Sequence, residues 1–244
     1  DNGNYIFYNG HNYRYKDSMT SILFMGVDKD ELGTVNNVVG TGGQADALYL
    51  IAIDTDNGVT TTFQISRNAM VDIDLYNTAG DFIRTENNQI CLSYAYGDGK
   101  ETSAENTVRS VRRLFYGLPV AQSYTALDIS GISALNDSIG GVTVTSPVTY
   151  KDDSNKVVYN EGQTYELHGK DAENFVRLRN HKSDNYNDNR MARQKAYLNA
   201  FIDKTVTMTK SDITTPVAIY NSAKPYMTTN LSVSKVSYLA TDLL

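Results

Sequence analysis

A chain of 244 residues, 41% hydrophobic and 20% charged, is long enough to bury a sizeable core and too apolar to stay disordered. A net charge of −6 and a pI near 5.1 exclude a protein built to coat nucleic acid. The single cysteine, Cys91, excludes an intrachain disulfide, and no stretch reaches the roughly 20 apolar residues of a membrane span.

The opening DNGNYIFYNGHNYRY does not read as a native start. SILFMGVD (Ser21–Asp28) reads as a buried strand that delivers Asp28 to a loop. That loop, KDELGTVNNVVGTGGQ, is Gly- and Asn-rich and long enough to suggest function. ADALYLIAIDT is a second buried strand with Asp46 at its mouth, Asn57-Gly58 is a hairpin turn, and VTTTFQISR returns as a third strand ending at Arg67. If these strands are neighbours, Asp28, Asp46 and Arg67 meet at one rim. Cys91, in NQICLSYAY, reads as a small buried hydrophobe rather than a reactive thiol, and Tyr94 and Tyr96 read as core packing before cavity lining.

SAENTVRSVRRLFYGL predicts an amphipathic helix capped near Ser103, with Ala104, Val108, Val111 and Phe115 inward and Gly117 as its stop. Arg109, Arg112 and Arg113 fall off that stripe and read as a solvated face. QSYTALDI and VTVTSPVTY read as further strands, SGISALNDSIGG as a short helix between them, and HGKDAENFVRLR as a helical turn. RMARQKAYLNAFIDKTV predicts a helix with Met191, Leu198, Phe201 and Ile202 toward the core, and Arg190, Arg193, Gln194 and Tyr197 on another face. Two helices close the chain. The pattern predicts a single α/β domain, an αβα sandwich with a mixed central sheet flanked by helices.

The stretch FVRLRNHKSDNYNDNRMARQ gathers Arg177, Arg179, Arg190 and Arg193 against an acidic background. The plain reading is surface charge paired with Asp184 and Asp188. Against it, a helix N-terminus already favours anions, so guanidiniums placed there suit an anion held between them. Arg also matches phosphate oxygens in a forked, two-point contact. Asp28 and Asp46 complement this, because Mg²⁺ takes one or two carboxylates and leaves its other positions to phosphates and water. The histidines His11, His168 and His181 have no metal-ligand spacing and carry no assigned role.

The order ILFMGVD, GQADALYLIAID, ISRNAMVDI, LSYAYGDG, ALNDSIGGVTVTSP, LHGKDAENFVRLR and NRMARQKAYL resembles the LytR–CpsA–Psr family over roughly Ser21 to Ile202. The resemblance implies a catalytic domain over 21–244, preceded by an N-terminal segment (1–20) and a membrane anchor, on the extracytoplasmic face. It implies transfer of a glycopolymer from a polyprenyl pyrophosphate carrier to a peptidoglycan acceptor through a phosphodiester, with Mg²⁺ as cofactor and no nucleic-acid partner. Position by position, it implies Asp46 and Asp28 as metal ligands and Arg67 as a pyrophosphate grip. Arg177, Arg179, Arg190, Arg193 and Gln194 complete the clamp, and Arg67, Asp46 and Arg179 are the expected catalytic residues. Three positions depart from the family pattern: Gln44 replaces a basic residue, Asn68 an acid, and Cys91 an asparagine. Two other readings stay open, a pyrophosphatase using water as acceptor and a non-catalytic lipid- or glycan-binding module.

Overall fold

The structure, a computed structural model, describes residues 5–33, 38–180, 182 and 185–242. His181 and Asp184 lie outside the described residues. The chain forms two compact units, the first running through Asp128 and resuming at Tyr226–Ser232, the second made of Ile129–Pro225 and Val233–Asp242.

The first unit opens with a small antiparallel hairpin, β1 (Tyr5–Tyr8) and β2 (His11–Arg14). The strands β3 (Met19–Val27), β4 (Ala45–Asp54) and β5 (Val59–Ile65) follow, then the separate hairpin β6 (Met70–Tyr76) and β7 (Phe82–Gln89). A 3-10 turn (Ile90–Ser93), the helix α1 (Glu101–Leu114) and β8 (Ser123–Leu127) complete its continuous part. Its five-stranded sheet has the order β13-β8-β3-β4-β5, where β13 is Met227–Thr229. Only β3 and β8 run parallel, so the sheet is mixed, as the alternation of strands and helices predicts. β3 alternates inward Leu23, Met25 and Val27, and these pack with Leu48, Leu50, Ile73, Ile90, Tyr94, Val108 and Val111 into one core.

The β6–β7 hairpin is not among the predicted elements, although Val71, Ile73 and Leu75 show a period of two. It explains the arginines of α1. Asp74 on β6 is buried, and Arg109 and Arg113 reach it from α1 at 3.4 and 2.9 Å. Arg112 donates to the Val120 and Ala121 carbonyls. The expected solvated face is therefore a bracket between helix and hairpin. The helix also starts earlier than expected, with Asp98 Oδ1 accepting from the Lys100 and Ser103 N–H groups, while the Ser103 hydroxyl accepts from Gly99 N–H.

The second unit contains α2 (Ile129–Ser138), the strand pairs β9 (Val142–Thr145) with β12 (Thr164–Leu167) and β10 (Tyr150–Lys151) with β11 (Val157–Tyr159), and four more helices. These are α3 (Lys170–Arg177), α4 (Tyr186–Ser211), α5 (Thr215–Ala223) and α6 (Val233–Asp242). Its core gathers Val142, Val144, Tyr159, Leu167, Phe175 and Val176.

Candidate functional site

Antiparallel order places the end of β3, the start of β4 and the end of β5 along one edge of the sheet. Asp28 follows β3, Asp46 is the second residue of β4, and Arg67 lies two residues past β5. The predicted rim exists. Arg67 Nη1 donates to Asp46 Oδ1, and Arg67 Nη2 donates to Gln44 Oε1 and, at 3.5 Å, to Cys91 Sγ. Both side chains of the Arg67–Asp46 pair are only 14% exposed, which shields the pair from solvent screening.

Beyond the bulge at Gly26/Val27, β3 and β4 keep one more contact. Asp28 N–H donates to the Gln44 carbonyl at 3.0 Å, and Gln44 N–H donates to Asp28 Oδ1 at 2.5 Å. Burial pushes the Asp28 carboxyl above its usual pKa. The Gln44 N–H opposes that rise, Asp46 adds to it, and Arg67 and Lys29 oppose it. Asp28 therefore feels both Asp46 and Arg67 electrostatically.

The loop before Gln44 is held by close backbone approach. Gly42 N–H donates to the Ala95 carbonyl at 3.0 Å, and a Cβ on Gly42 would sit 3.0 Å from that oxygen. Gly43 has φ +97, and a Cβ there would meet Val27 Cγ1 at 2.9 Å. From the opposite side, Cys91 N–H donates to the Arg67 carbonyl at 3.2 Å, which ties the 3-10 turn to the turn after β5. Cys91 is wholly buried, as expected, and burial raises its thiol pKa, with Arg67 opposing and Asp46 and Asp28 adding to the rise. In the sequence, Gln44 and Cys91 stand out only as departures from a family pattern. In the fold, both touch Arg67.

Among the described residues no three His, Cys, Asp or Glu side chains gather as a metal cage. Two carboxylates close enough to influence each other do fit a hard cation that needs no more than two from the protein.

The arginine-rich stretch belongs to the second unit and behaves differently. α4 begins at Tyr186, four residues before Arg190, so Arg190 and Arg193 are not at the helix start as expected. Arg190 is 3% exposed and Arg193 is fully buried. Arg193 donates from Nη1 to the Phe175 carbonyl and from Nη2 to the Leu178 carbonyl, and Gln194 Nε2 donates to the Val176 carbonyl at 3.2 Å. These carbonyls end α3, where helix oxygens lack intrahelical donors and the dipole is negative. Arg193 and Gln194 thus cap the C-terminal end of α3. Of the α4 residues expected inward, Phe201 packs on the core of this unit, and Tyr197 and Arg193, expected on another face, join it there.

Arg177 pairs with Glu173 one turn earlier and keeps 46% of its side chain exposed. Arg179 lines a polar cleft of about 380 Å³ together with Lys151, Asp153, Lys182, Tyr186 and Asn189. Arg177 and Arg179 keep part of their surface exposed, whereas Arg190 and Arg193 are buried.

The sequence model of the LytR_cpsA_psr family matches residues 7–244. A polyisoprenyl-teichoic acid–peptidoglycan teichoic acid transferase, TagU of Enterococcus faecalis, is 22% identical over 222 residues, covering 91% of this chain and 65% of that protein. TagU of Bacillus cereus is 26% identical over 217 residues, covering 89% of this chain and 62% of that protein. The chain therefore spans somewhat less than two thirds of the length of these relatives. The crystal structure of TagV from B. subtilis superposes with a TM-score of 0.69 at 25% identity, over 94% of this chain and 80% of that one.

Proposed function

The chain belongs to the LytR–CpsA–Psr family, and from that premise we propose that it is a phosphotransferase that moves a glycopolymer from a polyprenyl pyrophosphate carrier onto peptidoglycan. The observation that carries the proposal is the Arg67–Asp46 pair beside Asp28 at the rim of the sheet. A guanidinium and two carboxylates in one shielded cluster suit the diphosphate head of a lipid carrier.

In the reaction, an acceptor sugar hydroxyl attacks the phosphorus that bears the glycan. A new P–O bond forms to the acceptor oxygen, the bridging P–O bond breaks, polyprenyl phosphate leaves, and the hydroxyl proton is released. Arg67 grips the pyrophosphate and stabilises the charge that grows on the leaving group. Asp46 holds Arg67 in place through the shared ion pair. Asp28 and Asp46 would hold Mg²⁺, which supplies charge neutralisation at phosphate oxygens when bound. In the second unit we assign Arg177 and Arg179 to anion binding, and Arg193 and Gln194 to fixing the chain that carries them. The reaction belongs on the extracytoplasmic face of a membrane, where such carriers present their heads, and the resemblance supplies the anchor. Among the described residues no helix is long and apolar enough to cross a membrane.

The test is transfer from a lipid pyrophosphate-linked glycan to peptidoglycan oligomers, with Mg²⁺ present or chelated. Removing one charged transition-state contact costs on the order of 10²–10³ in rate, so Arg67→Ala should lose that much. Equal turnover by wild type and Arg67→Ala would remove the basis of the assignment. Phosphate release without polymer attachment would identify a hydrolase instead.

A further inference from the structure

Gln44 touches Asp28, Arg67 and Cys91 at the rim, and none of these contacts needs a substrate. Its backbone N–H holds Asp28 Oδ1, and its carbonyl accepts from Asp28 N–H. Its side-chain oxygen accepts from Arg67 Nη2. It stands two positions before Asp46, so Asp28, Asp46 and Arg67 are all referred to one short segment. Cys91 Sγ lies 3.9 Å from the same amide oxygen, a weakly polar and wholly buried neighbour that keeps water from that side.

The charge state of this acceptor has consequences. A carboxamide oxygen takes a guanidinium N–H without adding charge, which leaves the other arm of Arg67 to Asp46. A carboxylate in its place would compete with Asp46 for Arg67 and add negative charge beside the two aspartates. A cation there would repel Arg67 and draw on Asp28 or Asp46. Lys29 is the other charged group acting on Asp28, and it is unchanged in each case.

We propose that Gln44 is a positioning residue, orienting Arg67 through its side chain and Asp28 through its backbone, and that its neutrality sets how tightly the aspartate pair binds a divalent cation. This inference rests on the assignment of Asp28 and Asp46 as cation ligands. It adds a residue and a sign to that assignment.

Calorimetric titration of Mn²⁺ into the substrate-free chain tests it, using wild type, Gln44→Glu, Gln44→Lys and Gln44→Ala, with melting temperatures recorded for each. Gln44→Glu keeps the side-chain shape, so it separates charge from folding. The expected result is a cation Kd that falls with Glu and rises with Lys, each by roughly 3- to 10-fold for one charge at this range in a partly screened site. Gln44→Ala should hold its cation Kd within about twofold while raising KM for the lipid pyrophosphate donor, because Arg67 loses one of its holders. Shifts of the same sign for Glu and Lys would overturn the inference, as would a wild-type chain that binds no divalent cation. Opposite shifts in a chain that never transfers glycopolymer would support the role of Gln44 and sink the proposed reaction.

Discussion

The Arg193 guanidinium lies 4.6 Å from the centroid of the Tyr150 ring, fully buried, with two of its nitrogens on the carbonyls that end α3. Tyr159 and Phe175 stand 5.8 Å away. Burial pulls its pKa down to about 10, with Tyr159 and Tyr150 opposing, so it remains charged at neutral pH. A buried cation is tolerable here because aromatic faces and helix-end oxygens surround it.

Arg193 should therefore govern stability. Arg193→Met leaves the α3 carbonyls without donors, and chemical denaturation should show a loss of about 2–4 kcal/mol. Arg193→Lys should recover little of it, since an ammonium cannot reproduce the planar two-point contact. Neither variant should alter cation binding measured at Asp28 and Asp46.

Asp74 supplies a pH signature. Burial raises its pKa, but the Thr85 hydroxyl, Arg113 and Arg109 together outweigh that and leave it below the usual carboxylate value. The folded state thus holds the Asp74 proton less readily than the unfolded chain. Its stabilisation is complete above the unfolded pKa of about 4 and is lost as pH falls through the lower folded value. At pH 7, Asp74→Asn should cost about 2–3 kcal/mol, discounted from a fully buried pair because both arginines are partly solvated. The difference in melting temperature between wild type and Asp74→Asn should hold down to about pH 4 and narrow over the acid range below it, as pH falls through the lower folded value. A difference that stays constant over that range would show that the bracket around Asp74 is not electrostatic.

Gly43→Ala probes the loop that presents Gln44. With φ +97 and Val27 Cγ1 only 2.9 Å from where the methyl carbon would sit, the substitution forces the segment to move. The expected cost is about 1–3 kcal/mol in denaturation, with a larger fractional loss of transfer activity because the Gln44–Asp28 pairing moves with it. Retained activity at reduced stability would separate the loop from the site.

Cys91 should resist thiol reagents in the native protein. It is wholly buried, and its pKa is raised, so little thiolate forms and less is reachable. Labelling by a disulfide reagent should appear only as denaturant unfolds the first unit. Rapid labelling of native protein would place the thiol in contact with solvent and remove the shield assigned to it beside Gln44.

Sequence alone determined the central strands β3, β4 and β5 and most of the helices, but not the hairpins β1–β2 and β6–β7. Runs such as SILFMGVD and ADALYLIAID leave a strand few alternatives, and the Asn57-Gly58 turn makes β4 and β5 neighbours. From that, the meeting of Asp28, Asp46 and Arg67 at one rim was legible, because antiparallel neighbours bring successive ends together. Tertiary structure alone decided what each charge faces. A run of arginines looks the same whether it waits for phosphate or ends a helix, and only the packing of α4 against α3 separated Arg193 and Gln194 from Arg177 and Arg179. The arginines of α1 likewise read as solvated until β6 placed Asp74 before them. Periodicity reports which face a side chain occupies, whereas a charge takes its meaning from a partner many residues away, which local sequence does not encode.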